Sequence, residues 1–142
     1  MSKIYLASSW RNPFQPQMVE TLRDWGHEVY DFRNPKEGNT GFQWSEIDSN
    51  WEAWSSIAFV EALGDPIANI GFALDWDAMQ WAEACVLLLP CGRSAHLEAG
   101  YFKGASKPLY IYLAELRTEP ELMYKMAEGV HTDLDDLRIA LL

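Results

Sequence analysis

Ala84-Cys85-Val86-Leu87-Leu88-Leu89 is six apolar residues in a row, closed by Pro90, Cys91 and Gly92. A strand with one wet face alternates apolar and polar side chains; an unbroken short run bounded by turn residues predicts a strand covered on both faces. Such strands belong to parallel sheets layered between helices. The flanking segments agree. Pro66 to Trp81 reads as a helix before the run and Ser94 to Gly104 as a helix after it, with Pro108 to Leu113 (PLYIYL) as the next strand. Nearer the N-terminus, Lys3 to Ala7 reads as a strand and Pro16 to Trp25 as a helix. In that helix Met18, Leu22 and Trp25 recur at helical spacing, and Gly26 closes it. His27 to Asp31 alternates as a second strand, and residues 33 to 43 (RNPKEGNTGFQ) form the clearest loop. Trp44 to Leu63 reads as an aromatic-rich helix, and Pro120 to Gly129 and Thr132 to Leu141 as two closing helices.

The whole, residues 1–142, is expected to be one α/β domain, a parallel sheet with helices on both faces. With 49% apolar residues and 13% aromatics, the composition excludes an intrinsically disordered chain. A formal charge of −10 leaves no basic face for a nucleic acid polymer or an anionic membrane. No run of eighteen apolar residues offers a membrane span. The chain starts directly as a strand with no signal-peptide pattern, and its two cysteines are too few for a disulfide framework. A cytoplasmic protein is the expectation.

In parallel α/β sheets, ligands bind at the carboxyl ends of the strands, so the segments after strands are where chemistry is sought. The first is Ser8-Ser9-Trp10-Arg11-Asn12-Pro13, where two hydroxyls, a guanidinium and backbone N–H groups fall together. It could hold a phosphate or carboxylate, or be an ordinary polar turn. It has neither the glycine pattern of a dinucleotide site nor a P-loop lysine. The second is Pro90 to Tyr101 (PCGRSAHLEAGY), with Gly92 for a tight turn and Ser94 as the expected N-cap. Glu98 there is either a functional carboxylate or a partner of the helix dipole. Arg93 faces either an anion or water, and His96 reads as structural or exposed. The third is Asp75-Trp76-Asp77, which by itself reads as a solvated helix face. The tryptophans Trp44, Trp51 and Trp54 are either a stacking wall for a planar base or core. No His, Cys and carboxylate group has metal-ligand spacing.

Taken together, Lys3-Ile-Tyr5-Leu-Ala, Asp75, Ser94 to Pro108 (SAHLEAGYFKGASKP) and Met126-Ala-Glu-Gly-Val130 resemble the nucleoside 2-deoxyribosyltransferase superfamily, which includes nucleoside 5′-monophosphate N-glycosidases. The resemblance implies a flavodoxin- or Rossmann-like fold. It matches Glu98 to the nucleophile, Tyr5 to the hydroxyl that positions it, and Asp75 to the acid near the base. Ser8, Ser9, Trp10, Arg11, Arg93 and Ser94 are expected to bind substrate, with Met123 or Tyr124 at the C-terminal site position. Where transferases usually carry an Asp shortly before the nucleophile, this chain has Gly92 and Arg93. Ser9-Trp10-Arg11 looks more like the phosphate-holding turn of the nucleotide hydrolases.

The implied chemistry is attack of the Glu98 carboxylate on C1′ of the sugar as the base departs, giving a glycosyl ester. A second base, or water, then opens the ester with net retention. This implies a small-molecule nucleoside or nucleotide partner and no metal or organic cofactor. A sugar transferase, a nucleotide hydrolase and a nucleotide sensor without turnover all fit this pattern. The resemblance also implies a homo-oligomer whose C-terminal segment completes the neighbouring site. Leu122, Met123, Met126 and Val130, then Leu134, Leu137 and Leu141, supply two apolar stripes for it.

Overall fold

Ile4, Leu6, Val86 and Leu88 are all at most 2% exposed, and they lie on one face of two adjacent parallel strands. These strands are β1 (Lys3–Ala7) and β3 (Ala84–Leu88), every residue of the latter being buried. In the computed structural model, which describes residues 1–116 and 119–142, β2 (Glu28–Tyr30), β4 (Leu109–Tyr112) and β5 (Gly129–His131) complete a parallel sheet of order β2-β1-β3-β4-β5. In a parallel pair, residues in register share a face. Leu6 with Val86 faces one way, and Tyr5 with Cys85 the other.

Helices α1 (Gln15–Asp24) and α5 (Leu134–Ala140) cover the first face. Met18, Val19, Leu22, Leu137 and Leu141 pack there with Ile4, Leu6, Val86 and Leu88. Full burial of a side chain such as Leu22 or Leu137 contributes about 1.5–3 kcal/mol. Helix α4 (Arg93–Gly104) packs on β3, β1 and β4 across the other face through Ala95, Ala99 and Phe102. The fold is thus α/β with a parallel sheet flanked by helices on both faces, as the buried run at Ala84 predicts. Helix α1 ends as expected, with Gly26 at φ +96°. That left-handed conformation suits glycine.

The described residues gather into two compact units, Met1–Asp31 with Met79–Leu142, and Phe32–Ala78. The second holds α2 (Ser56–Ala62) and most of α3 (Pro66–Trp81). Trp44 meets Phe42, Trp54 and Phe59 edge-on at 4.8, 5.7 and 5.8 Å. These aromatics therefore pack on one another, and none of them is fully buried, Phe59 being 43% exposed. Gly71 admits Phe42, because a Cβ there would lie 2.9 Å from the Phe42 Cβ.

Three sequence expectations are corrected. Trp44 to Leu63 is not one helix but two 3₁₀ turns, Trp44–Glu46 and Trp51–Ala53, followed by α2. Asp48 accepts from the Asn50 N–H and the Trp54 indole N–H, both at 2.8 Å, and Ser55 caps α2 by accepting from the Ala58 N–H. Local side-chain bonds of this kind compete with helix. Pro120 to Gly129 is a 3₁₀ turn, Leu122–Met126, and Gly129–His131 is the fifth strand. The last helix starts only at Leu134, after Asp133, whose carboxylate accepts from the Asp136 N–H. The Leu122–Val130 stripe is therefore not a helix face. Leu137 and Leu141 of the second stripe lie in the chain's own core. Among the described residues, no single helix is long and apolar enough to cross a membrane.

Candidate active site

The strand order reverses direction between β1 and β3, and the carboxyl ends there frame the crevice where open α/β sheets take ligands. Side chains tie the two ends together. The Ser8 hydroxyl donates to the Leu88 carbonyl at 3.0 Å, and the Asn12 amide to the Pro90 carbonyl at 3.1 Å. The Asn12 carbonyl oxygen also accepts from the Phe14 N–H at 2.9 Å, so this nearly inaccessible amide sets the entry to α1. Buried Gln15 donates to Asp31 at 2.9 Å, anchoring the start of α1 to the segment after β2. Asn12 lies within the first candidate segment without an assigned role of its own, and Gln15 lies outside it. Their only signal was a polar residue just before Pro13 and another just before Pro16, at the mouth of a helix.

Tyr5 points from the middle of β1 toward α4. Its ring is 1% exposed and lies between Tyr30, stacked at 5.3 Å, and Phe102 at 5.6 Å. Its hydroxyl donates to the Glu98 carboxylate. Two residues 93 positions apart thus meet at the β1/β3 switch. Glu98 itself is half-buried.

The N-cap of α4 is Gly92, not the expected Ser94, and it offers no side chain to the first turn. Arg93 and Ser94 are exposed in that turn, whose backbone N–H groups lack intrahelical acceptors. Counting from Arg93, Glu98 is the sixth helical residue, and no acid stands in the first turn. A simple dipole partner is placed earlier, because the effect fades within that turn.

The negative charge of Glu98 is felt at both cysteines. Burial, and then Glu98, push the Cys91 thiol up to about 12 and raise that of Cys85 well above its ordinary value. Both thiols are free. Beside them, His96 Nδ1 lies 2.7 Å from the Gly92 carbonyl oxygen and Nε2 lies 2.8 Å from the Tyr124 hydroxyl. A carbonyl only accepts, so in the neutral ring Nδ1 carries the proton and Nε2 accepts from Tyr124. Burial, then the charges of Cys91 and Glu121, hold the Tyr124 phenol above its usual range. His96 is structural in this sense, and Tyr124 stands against its own chain's α4.

Of the expected site residues, Tyr5 and Glu98 are in direct contact and Ser8 lies at the adjoining strand end. The Ser9 hydroxyl accepts from the Arg11 N–H at 3.1 Å, a local turn that leaves Arg11 exposed and Trp10 39% exposed. Met123 is exposed on the 3₁₀ turn that also carries Tyr124. Asp75 is half-buried on α3 and belongs to the Phe32–Ala78 unit. Among the described residues, no group of three or more His, Cys, Asp or Glu side chains is placed to hold a metal ion.

No protein-family model matches the chain, and no curated protein does. Solved structures do match. A 2-deoxyribosyltransferase from the psychrotolerant bacterium Bacillus psychrosaccharolyticus aligns over 95% of this chain and 89% of its own, with a TM-score of 0.60 at 20% identity. The Clostridium botulinum CMP N-glycosidase BcmB aligns over 97% of this chain and 96% of its own, with a TM-score of 0.50 at 15% identity. The chain therefore has the fold of these two proteins.

Proposed function

We propose that the protein breaks the N-glycosidic bond of a nucleoside or nucleotide through a covalent glycosyl-Glu98 intermediate and passes the sugar to a second base. The observation that carries this reading is the half-buried Glu98 carboxylate, held by the buried Tyr5 hydroxyl at the switch point of the sheet. One Glu98 oxygen bonds to C1′ as the C1′–N bond breaks, and the electron pair leaves with the base. Asp75 holds or protonates that base. A nitrogen of the incoming base then displaces Glu98 from C1′ and gives up its proton to the acid that protonated the first base, with net retention and a regenerated Glu98 carboxylate. Support comes from the fold shared with a 2-deoxyribosyltransferase and a CMP N-glycosidase. The two free cysteines suit a reducing compartment, and we place the activity in the cytoplasm.

The second reading is hydrolysis of a nucleoside 5′-monophosphate, with water as the acceptor. It is favoured by exposed Arg11 beside the β1 end and exposed Arg93 at the uncapped start of α4, two cations available to a phosphate. In both readings Ser8, Ser9, Trp10 and Ser94 border the substrate. Exposed Met123 is the residue the C-terminal segment offers to a neighbouring copy in a homo-oligomer, with Tyr124 kept at home by His96. The test is a panel of nucleosides and 5′-monophosphates, each with and without an acceptor base, followed by chromatography. Base exchange only with acceptor supports the transferase, and free base from 5′-monophosphates alone supports the hydrolase. Tight binding with no released base from any compound contradicts both.

A further inference from the structure

Helix α4 begins without the usual support. Its N-cap, Gly92, has no side chain to accept from the first turn. The Gly92 carbonyl should take the first intrahelical bond, yet the His96 N–H reaches it only at 3.4 Å. The equivalent bonds onto Phe14 in α1 and Ser55 in α2 are 3.0 Å. The same Gly92 oxygen lies 2.7 Å from Nδ1 of the His96 ring, so a side chain closes this turn more tightly than the backbone does. The far edge of the ring is fixed in its turn. Nε2 lies 2.8 Å from the Tyr124 hydroxyl, and the two rings stack 5.8 Å apart at 18°. Tyr124 is itself seated, because the Glu121 carboxylate accepts from the Met123 N–H at 2.8 Å and the Tyr124 carbonyl from the Ala127 N–H at 3.1 Å. Glu128 then binds Lys103 of α4 and the Leu109 N–H of β4, both at 2.6 Å.

We propose that His96 and Tyr124 are positioning residues, a latch that holds the first turn of α4 as the substrate-binding rim of the Glu98 site. The substrate at that rim rests on the glycosidic reading; the latch does not. His96 and Glu98 are two residues apart, about 200° around a helix of 3.6 residues per turn, so they face opposite flanks. Tyr5 holds Glu98 from β1, and Ala95, Ala99 and Phe102 bury the helix body on the sheet. Loss of the latch therefore leaves the nucleophile in place and loosens exposed Arg93 and Ser94, which that reading sets beside the substrate. Gly92 makes the loosening easy, since glycine has the most backbone freedom to regain. The ring does not serve as a base for Cys91, whose sulfur lies 3.7 Å from Nδ1, because the Nδ1 proton goes to the Gly92 carbonyl.

Two measurements on the full chain test this. Amide hydrogen exchange of the free protein, read by mass spectrometry over the peptide that opens α4, reports the latch without any substrate. His96→Ala and Tyr124→Phe should each speed exchange there by about 3–10-fold, the worth of one hydrogen bond, and the double variant should be no faster than His96→Ala. Unchanged exchange in β1 and β3 shows that the variants fold. Steady-state kinetics on the nucleoside or 5′-monophosphate that turns over reports the role. KM should rise by a similar factor while kcat stays within about twofold, the pattern of lost binding with intact chemistry. His96→Asn, whose amide can still donate to the Gly92 carbonyl, should recover part of both losses. Exchange unchanged in both single variants, effects that add in the double variant, or a fall in kcat at constant KM overturns the proposal. A wild type that releases no base from any compound overturns the positioning role together with the glycosidic reading, and the exchange measurement still decides the latch.

Discussion

Glu98 and Tyr5 form one unit, and the pair predicts unequal losses. Glu98→Gln keeps the shape and removes the nucleophile, so activity should fall by at least about 10³-fold. Tyr5→Phe removes one hydrogen bond to a charged group, worth about 1.5–3 kcal/mol, so activity should fall roughly 10–100-fold. Steady-state kinetics on purified variants would measure both; equal losses would contradict a positioning role for Tyr5. Cys91 gives a check that needs no substrate. Its thiol is held near 12 first by burial and then by the Glu98 charge. Removing that charge in Glu98→Gln lowers the pKa and raises the thiolate fraction at fixed pH. Alkylation of Cys91 by iodoacetamide should therefore be slow in the wild type and faster in the variant. An unchanged rate would mean that Glu98 does not sit where its charge reaches Cys91. The sequence contained Glu98, but no spacing rule joins it to a tyrosine 93 residues away. Only the resemblance made the pair legible, and only the register of β1 against β3 with α4 across them explains the meeting.

At the level of elements, the buried run at Ala84 was legible because both faces of β3 are covered, which erases alternation. The fifth strand was hidden because it is three residues long, begins with Gly129, and follows Leu122 and Met126 at a spacing that mimics a helix. The expected helix from Trp44 failed for a different reason, since Asp48 and Ser55 satisfy backbone and indole donors locally. Helix α5 tests the account of the core. Leu137 is fully buried with Leu22 and Val86, so Leu137→Ala should destabilise by about 2–5 kcal/mol in urea unfolding. It should leave self-association intact; dissociation without destabilisation would return this leucine to an interface. The amino end of the sheet tests a titration. Buried His27 accepts from the Ser2 N–H through Nδ1 at 3.0 Å, and burial, then the N-terminal charge, hold its pKa below the ordinary 6.5. The unfolded chain then binds the proton more readily, so this contribution is present above pH 6.5 and is lost as pH falls through the lowered folded value. Unfolding free energies measured over that range should slope for the wild type and flatten for His27→Gln. Equal slopes would show that His27 is not responsible.

For the molecule as a whole, charge and chemistry are divided along the chain. From Glu37 to Gly92 there is no Lys or Arg, whereas Arg11 and Arg93 lie beside the β1 and β3 ends. Composition made the acidic total legible and excluded a polyanion as the main partner. It could not show that the apolar excess lies bare on α2 and α3, because a buried and an exposed apolar helix have the same sequence pattern. The central claim is that Glu98 becomes bonded to the sugar. Its most direct test is mass spectrometry of the protein quenched in acid during turnover, followed by peptide mapping. A glycosyl adduct is expected on the peptide carrying Glu98, lost when acceptor base or time consumes it and absent in Glu98→Gln. Turnover by Glu98→Gln at a near-wild-type rate, or an adduct mapped to another residue, would contradict it.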